Sequence, residues 1–400
     1  MVKRLALVIF CIAATVTWTH AVPHNLPPSA YVAEEGLVVD TGTRRVIGGG
    51  MTEFSHLTWR ADGRFLLFQR GGGGQVALYD DATGETRQLT ATGAFLPATF
   101  SHDGTAVIYT ADPAHDRIVE TGGRPMLPVT VYRAGIDDGA VSALGEVMVG
   151  VGCGGGSPFP MDAVYNKEAG FGGRGLIMAD TPHGLLYSMS CTGIGLGVFD
   201  TASGESRGLG DGLSRPQLSP DGGRVLASDE LGGGLVILNL ADGGQQTVGT
   251  SAPVDQIAWN TDGGAIFYST RTLSAEALPL SAEEAGAVAN ALGLPPDGVP
   301  QYQVSVRRLD PASGAESVIF SEPAWAIGRM TGAGGAVFFS VISNGETWVE
   351  ALANGTVDPF APDSFGQAWR SVEITVLRVA EGGGDAVALA RGAHQMTLRP

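Results

Sequence analysis

The sequence predicts an all-β protein folded as a single β-propeller, a ring of four-stranded sheets, and three observations lead to that prediction. A motif of strand, Asp-Gly turn and strand recurs four times in the 400 residues. The separation is 41 residues from Asp62 to Asp103 and again from Asp221 to Asp262, and a period near 40 with short strands is typical of propeller blades. The composition is 44% hydrophobic with 60 glycines, which is too apolar for a disordered chain, and it has no collagen period.

Each copy of the motif ends one apolar strand at an Asp-Gly turn and begins the next strand. Aspartate and glycine recur because the turn needs a positive φ angle and a side chain that caps its own backbone. We therefore interpret these aspartates as turn residues and not as catalytic acids. The four copies are Trp59–Gly63 before Phe65–Phe68, Phe100–Gly104 before Ala106–Tyr109, Leu218–Gly222 before Val225–Ala227, and Trp259–Gly263 before Ala265–Tyr268.

Six complete units can be counted, and the two ends of the chain supply material for one more. Gly36–Ile47 and Val372–Leu398 each have the pattern of half a blade, and pairing them would close the ring and remove exposed sheet edges. The sequence therefore favours seven blades closed by N- and C-terminal strands, with six blades as the alternative. The six units are 53–90, 97–145, 174–210, 213–249, 254–320 and 323–358.

The repeat resembles that of TolB-like and WD-like propellers. The resemblance lies in Leu218–Ser228 and in the unit that runs from Ala61 to Thr90, and the same repeat occurs in the propellers of prolyl-oligopeptidase-like peptidases. It implies a propeller in an extracytoplasmic compartment and says little about activity. The sequence offers neither the α/β domain that precedes the propeller of TolB nor the Gly-x-Ser-x-Gly elbow of a peptidase domain.

The N-terminus has the pattern of a secretory signal peptide in residues 1–21. Lys3 and Arg4 precede an apolar run from Leu5 to Trp18, and a small residue, Ala21, stands at the expected cleavage site. An uncleaved anchor is the alternative, although a bilayer span needs about 20 residues. Residues 22–34 then form a Pro-rich extended lead to a propeller over 35–400, which predicts a secreted or periplasmic protein without a membrane span after cleavage.

Charge and cysteine content limit the partners and the chemistry. The formal charge of -17 repels phosphate backbones, so nucleic acid is excluded as a partner. Cys153 and Cys191 are the cysteines outside the signal segment, and in an oxidising compartment such a pair predicts a disulfide. No motif predicts a cofactor. Calcium or another divalent metal in the central channel stays open, since ligands drawn from different blades leave no local motif.

Long connections are expected on one face of the ring. In a blade whose strands alternate in direction, the connection from second to third strand and the link to the next blade emerge on the same face. The predicted insertions fall in those connections, and one of them contains a short helix that begins at the capping box Ser281–Glu284. The insertions are 111–128, 146–173, 271–300 and 361–370.

These insertions carry mixed charges beside aromatic side chains, a composition common to protein interfaces and ligand pockets. The sequence therefore favours a monomeric scaffold that binds a protein, small-molecule or glycan partner through this face, with an exposed apolar or aromatic patch over Tyr165, Phe171 and Trp369. The alternative is a lactonase-like or other hydrolase or lyase with a metal or carboxylate site in the channel. The candidate binding residues are His115, Asp116, Arg117, Asp162, Tyr165, Lys167, Glu168, Phe171, Trp369 and Arg370.

Overall fold

The structure is a computed structural model, and it forms a ring of seven antiparallel sheets, which confirms the predicted fold class and blade number. It describes residues 27–50, 54–70, 74–94, 97–111, 115–121, 124–150, 178–188, 195–229, 231–274, 281–283, 286, 301–343, 350–351, 354–356, 358, 367 and 372–400.

The strands alternate in direction and are joined mostly by short turns. In chain order they are β1 (Ser29–Ala33), β2 (Gly36–Asp40), β3 (Arg44–Gly48), β4 (Phe54–Trp59), β5 (Phe65–Arg70), β6 (Gln75–Asp80), β7 (Glu85–Gly93), β8 (Thr99–Phe100), β9 (Ala106–Ala111), β10 (Val119–Thr121), β11 (Arg124–Gly135), β12 (Val141–Gly150), β13 (Met178–Thr181), β14 (Gly184–Ser188), β15 (Leu196–Phe199), β16 (Ser206–Gly210), β17 (Leu213–Leu218), β18 (Arg224–Asp229), β19 (Leu235–Asn239), β20 (Gln245–Val248), β21 (Ile257–Trp259), β22 (Ile266–Leu273), β23 (Tyr302–Leu309), β24 (Glu316–Pro323), β25 (Ala326–Ala333), β26 (Ala336–Ile342), β27 (Ile374–Ala380), β28 (Val387–Arg391) and β29 (His394–Leu398).

Six of the blades are continuous in sequence. Blade 1 is β4–β7, blade 3 is β13–β16, blade 4 is β17–β20, blade 5 is β21–β24 and blade 6 is β25–β28. Blade 2 is built from β8, β9, β11 and β12, and the short strand β10 folds back on the start of β11. The first strand of each blade is the innermost one, because first strands contact one another around the centre of the ring.

Blade 7 joins the two ends of the chain, as expected. Its strands differ from the predicted pair of half-blades, Gly36–Ile47 and Val372–Leu398. Its order is β29, β1, β2 and β3, so the last strand of the chain is innermost and three N-terminal strands lie outside it. Ala30 pairs with Thr397, and the backbone N–H of Arg399 donates to the carbonyl of Pro28 at 2.8 Å. Ala30, Tyr31 and Val32 are fully buried. The propeller therefore begins with β1, before the predicted boundary at residue 35, and the predicted lead over 22–34 includes residues of this strand.

Blade 6 corrects the predicted unit at 323–358. Its third and fourth strands are β27 and β28, which the sequence pattern places in the closing blade. β26 pairs with β27 from Ala336↔Ala380 to Ile342↔Ile374. The side chain of Asn354 accepts the N–H of Thr356 at 3.0 Å, a local turn that imitates a strand connection in sequence. The segment 343–373 is therefore one long connection between second and third strands.

Helical backbone is sparse in the described residues. Ala282, Glu283 and Gly286 are helical and fall inside the predicted insertion helix, whose remaining residues lie outside the described ranges. Among the described residues, no helix has the length and apolarity needed to cross a membrane.

The Asp-Gly turns are held by their own aspartates. In blade 2, Oδ1 of Asp103 accepts the hydroxyl of Ser101 at 2.6 Å and the N–H of Thr105 at 3.0 Å, and these bonds lower the pKa of Asp103 to about 2. In blade 1, the side-chain bond from Arg60 is the main cause that lowers the pKa of Asp62 to about 2. These carboxylates are fixed turn caps, as their spacing predicts.

Arginines connect neighbouring blades at these turns. A guanidinium from one blade donates to the carbonyl of the turn glycine in the next. The three bonds are Arg60 to Gly104 at 3.1 Å, Arg224 to Gly263 at 3.2 Å, and Arg399 to Gly63 at 2.8 Å. Gly63 is needed for two reasons, since its φ is +69° and a Cβ there would lie 2.7 Å from Nε of Arg399.

The hydrophobic core lies between blades and not inside any one of them. One cluster joins Leu67 and Leu78 of blade 1 to Val107 and Tyr109 of blade 2, and similar clusters join the later neighbours up to blades 6 and 7. Each sheet therefore buries apolar side chains on both faces, and the ring as a whole forms the folding unit.

Arg399 is expected to stabilise ring closure. It bonds Gly63, lies 3.3 Å from a carboxylate oxygen of Asp81, and has its guanidinium 5.8 Å from the ring centroid of Trp59. Substitution Arg399→Ala should lower the free energy of unfolding by about 1–3 kcal/mol, the usual range for lost charged hydrogen bonds. Urea unfolding measures it, with the exposed Arg378→Ala as matched control. Equal losses in the two variants would contradict a closure role.

Candidate functional site

The two faces of the ring differ in the length of their connections. We call the turn face the one formed by the connections from first to second and from third to fourth strand; none of these exceeds six residues. We call the insertion face the opposite one. It carries the four long connections 112–123, 151–177, 274–301 and 343–373, each of which joins second to third strands or one blade to the next. The strands that flank these four connections end on the insertion face, whereas most residues of the predicted insertions lie outside the described ranges.

Most of the predicted binding residues lie outside the described residues. This holds for the side chain of His115, although its backbone belongs to a 3-10 turn at His115–Arg117. The predicted disulfide also lies outside them. The residues concerned are Cys153, Asp162, Tyr165, Lys167, Glu168, Phe171, Cys191, Trp369 and Arg370.

Asp116 and Arg117 are described and lie on the surface of the first insertion. Asp116 is exposed. The guanidinium of Arg117 forms two parallel bonds to the carboxylate of Glu146, at 2.8 and 3.0 Å, and such a fork-to-carboxylate pair fixes the relative orientation of the two groups. Because Glu146 is part of β12, this pair ties the insertion to the outer strand of its own blade.

The innermost strands are irregular near the insertion face. The pairing of β4 with β5 shifts between Ser55 and Thr58, and equivalent shifts occur in β17, β25 and β29. Three non-glycine residues at these shifts have positive φ angles: His56 (56°), Arg215 (51°) and Gln395 (51°). Positive φ is uncommon for side chains of this size and concentrates at functional sites, so four blades deform their central strands at one level of the channel.

Polar side chains collect at this level. Nη1 of Arg215 lies 3.3 and 3.4 Å from the hydroxyls of Ser214 and Ser228, which bond each other at 2.7 Å. The side-chain amide of Gln395 donates to the carbonyl of Phe54 across the blade 7 to blade 1 boundary at 3.5 Å. At this level Ser214, Ser228 and Gln395 are buried and their polar groups bond other protein atoms.

Arg329 connects two blades that are not neighbours in the ring. It belongs to β25 of blade 6, and its Nη1 donates to the carbonyl of Leu57 in blade 1 at 3.2 Å. Blade 7 lies between these two blades in the ring. Burial among protein atoms lowers the pKa of Arg329, while part of its surface remains accessible, as expected for a group that faces an internal channel.

The sequence interpretation missed these channel residues, although a signal was present. His56, Arg215 and Gln256 each stand six positions before the aspartate of an Asp-Gly turn, where the fourth copy has Pro97. A polar residue at this fixed offset could have marked the bulges of β4 and β17, whereas Gln256 precedes β21, which pairs with β22 without a shift. Arg329 has no such signal, because blade 6 lacks the Asp-Gly turn.

The described channel residues suit anion or hydrogen-bond recognition. Among the residues that the structure describes, no three His, Cys, Asp or Glu side chains come together in a group that could hold a metal ion. Guanidinium, imidazole, amide and hydroxyl groups donate to oxygen acceptors. The arrangement can bind an acceptor-rich group without any metal.

Similar folds occur among solved structures. A prolyl endopeptidase matches with a TM-score of 0.52 and 10% identity over 92% of this chain and 47% of its own. TolB from Acinetobacter baumannii matches with a TM-score of 0.44 and 11% identity over 92% of this chain and 64% of its own. An oligogalacturonate lyase from Vibrio parahaemolyticus matches with a TM-score of 0.47 and 10% identity over 80% of this chain and 88% of its own. At these identities the similarity shows the fold alone.

The chain is thus a seven-bladed β-propeller. It spans 64% of the TolB chain and about half of the endopeptidase chain that it matches. No family profile and no curated protein matches its sequence.

The bulge at His56 provides a test of backbone strain. Asparagine tolerates a positive φ better than most residues, whereas a β-branched side chain does not. His56→Val is therefore expected to lower the free energy of unfolding by about 1–2 kcal/mol more than His56→Asn. Chemical denaturation of both variants measures the difference. Equal stabilities would show that this position does not constrain the backbone.

Proposed function

We propose that the protein is an exported scaffold that binds a protein or small-molecule partner through its insertion face. The observation that carries the proposal is the one-sided distribution of the connections. Thirteen connections on the turn face span at most six residues each, whereas all four long ones emerge opposite. Long ordered loops on a rigid framework are the usual carriers of binding function.

The course of the chain supports this face as the binding surface. Pro28 and Arg399 bond each other at the turn face, so β1 begins on the side away from the long connections. The Arg117–Glu146 pair holds the base of the first insertion against β12. The start of β1 therefore does not occupy the insertion face, where we propose that the partner binds.

Binding is proposed in preference to catalysis. The bulged strands carry His56, Arg215, Arg329 and Gln395, whose side chains can donate hydrogen bonds. The hydrolase or lyase alternative would place carboxylates or a metal at this level.

Export is part of the same proposal. Residues 1–21 have the features of a cleaved signal peptide, and a disulfide between Cys153 and Cys191 would shorten the free length of the second insertion. Mass spectrometry of the exported, non-reduced protein is expected to show a chain that begins at Val22, with both thiols protected from alkylation. Two alkylated thiols would reject the disulfide, and an intact N-terminus would reject cleavage.

The third insertion offers a clean deletion. Leu273 pairs directly with Tyr302, and the N–H of Ser274 donates to the carbonyl of Gln301 at 2.8 Å. A short Gly-Asn turn can therefore replace residues 275–300 without disturbing β22 and β23. Quantitative pull-down and cross-linking should show at least a tenfold loss of the partner captured by the full chain.

A matched control alters the turn face. Glu381→Arg together with Asp385→Arg changes exposed or half-exposed residues of the β27–β28 turn and should leave capture unchanged. Unfolding midpoints of all variants exclude global damage. The proposal is wrong if the deletion variant retains the partner or if the turn-face variant loses it.

A further inference from the structure

The long connection between the second and third strands of blade 6 contains an exposed turn at 354–356. The backbone N–H of Asn354 donates to the carbonyl of Glu350 at 3.0 Å, so the turn ends the short helical segment that includes Glu350 and Ala351. Ala351 is buried and anchors that segment, whereas Asn354, Gly355 and Thr356 are exposed. The turn is therefore anchored on its N-terminal side and open to water.

The side-chain amide of Asn354 is oriented and polarised by Thr356. Its Oδ1 accepts the backbone N–H of Thr356 at 3.0 Å and also accepts the hydroxyl of the same residue. Two donors on one carbonyl oxygen stabilise the negative charge that this oxygen gains when a nucleophile attacks the carbonyl carbon. The carboxamide carbon Cγ of Asn354 is therefore an electrophile in a fixed orientation.

The residue that follows supplies a nucleophile next to this carbon. The backbone nitrogen of Gly355 and Cγ of Asn354 are separated by three bonds to the asparagine's own carbons, so their union closes a five-membered ring. Gly355 has a φ of +70°, and a Cβ at this position would meet no atom of the described residues within 4 Å. Because glycine has no side chain to crowd the ring and a permissive backbone, the two groups can approach each other without the entropic cost of an encounter.

Asn239 provides an internal comparison. Its Oδ1 accepts the N–H of Ala241 at 2.9 Å, which is the same kind of side-chain turn, and Asn239 is exposed as well. The nitrogen that follows it belongs to Leu240, which is buried and donates its N–H to the carbonyl of Gly223 at 2.9 Å. Asn239 therefore has an oriented amide, but its neighbouring nitrogen is hydrogen-bonded and crowded by a leucine side chain.

We propose that Asn354 is a site of spontaneous deamidation in the folded protein, with the backbone nitrogen of Gly355 as the nucleophile. The bond from this nitrogen to Cγ forms and the Cγ–Nδ2 bond breaks. The proton of the Gly355 N–H leaves with the side-chain nitrogen as ammonia, and a cyclic imide remains. A solvent water then opens the imide at either carbonyl, which gives an aspartyl or an isoaspartyl linkage. The net change is loss of one ammonia and gain of one water, without an oxidant or a cofactor.

The product changes the insertion face. Each converted chain gains one negative charge in the connection 343–373, and the isoaspartyl form also lengthens the main chain by one carbon atom. The reaction requires neither export nor a partner, so it stands or falls independently of the proposed scaffold function.

The first experiment incubates the full chain at neutral pH, both folded and unfolded in guanidinium chloride, and follows each asparagine by peptide mapping with mass spectrometry. Aspartyl and isoaspartyl forms at Asn354 should accumulate in the folded chain at a rate within about tenfold of that in the unfolded chain. Asn239 should stay intact in the folded chain. If Asn354 reacts only in the unfolded chain, or reacts no faster than Asn239 in the folded chain, the proposal is wrong.

Variants then test the role of the turn. Thr356→Val removes the hydroxyl donor and should slow the reaction in the folded chain several-fold, whereas Thr356→Ser keeps the hydroxyl and should react as the unaltered chain does. The same two variants should react at equal rates when unfolded, because the turn is then absent. Equal rates of the two variants in the folded state would refute activation by Thr356. If Thr356→Val does not fold, the comparison of Asn354 with Asn239 in the unaltered chain still decides.

Two further measurements assign the product to this residue. A second Asn-Gly pair stands at 344–345, outside the described residues, and peptide mapping reports it separately. Asn354→Gln should abolish the new acidic form that maps to 354–356, because ring closure through a longer side chain is slower. Persistence of that form in Asn354→Gln would overturn the assignment. A glycan on Asn354 of the exported chain, whose Asn-Gly-Thr sequence fits the acceptor pattern of N-glycosylation, would also overturn it.

Discussion

Each blade has apolar side chains on both faces of its sheet, so both faces must be covered by a neighbouring blade. The closed ring follows from this requirement. The cluster shared by blades 1 and 2 and that shared by blades 6 and 7 are built from the same kind of strand residues. A single sheet, or an open row of sheets, would leave two such faces in water, where burial of each large apolar side chain is worth about 1.5–3 kcal/mol. Closure of the ring by β29 and β1 is therefore a condition for the stability of every blade.

The division of labour between the faces follows from that closed ring. On the turn face, aspartate caps and the arginines that reach the next blade fix the geometry, as with Arg399 on Gly63 and Arg224 on Gly263. On the insertion face, connections can lengthen without cost to the blade packing, because the strands beneath them are already paired. β22 and β23 remain in register up to Leu273 and Tyr302, immediately before a long connection. Because the turn face fixes the blade geometry, the connections on the insertion face can vary in length.

The sequence predicted the features that depend on local chemistry. Asp62, Asp103, Asp221 and Asp262 indicated the turns, and with them the repeat length and the number of blades. The sequence did not predict which blade a strand joins when its pairing partner is distant in the chain. Ile374–Ala380 is apolar enough to belong to either blade 6 or blade 7. Its pairing with β26 in the structure assigns it to blade 6. Arg329 was missed for the same reason. Its guanidinium donates to the carbonyl of Leu57, which is 272 positions away in the sequence.

The position of β29 has a consequence for how the protein is made. This strand occupies the centre of blade 7 and pairs with residues near the start of the described chain, Ala30 with Thr397. During synthesis or translocation β1–β3 emerge first and lack this partner until the strands of blades 1 to 6 have followed. Contacts of such sequence separation form slowly, so β1–β3 remain a sheet with an unpaired edge until β29 reaches them. A truncation before His394 would leave that edge unpaired and prone to aggregation.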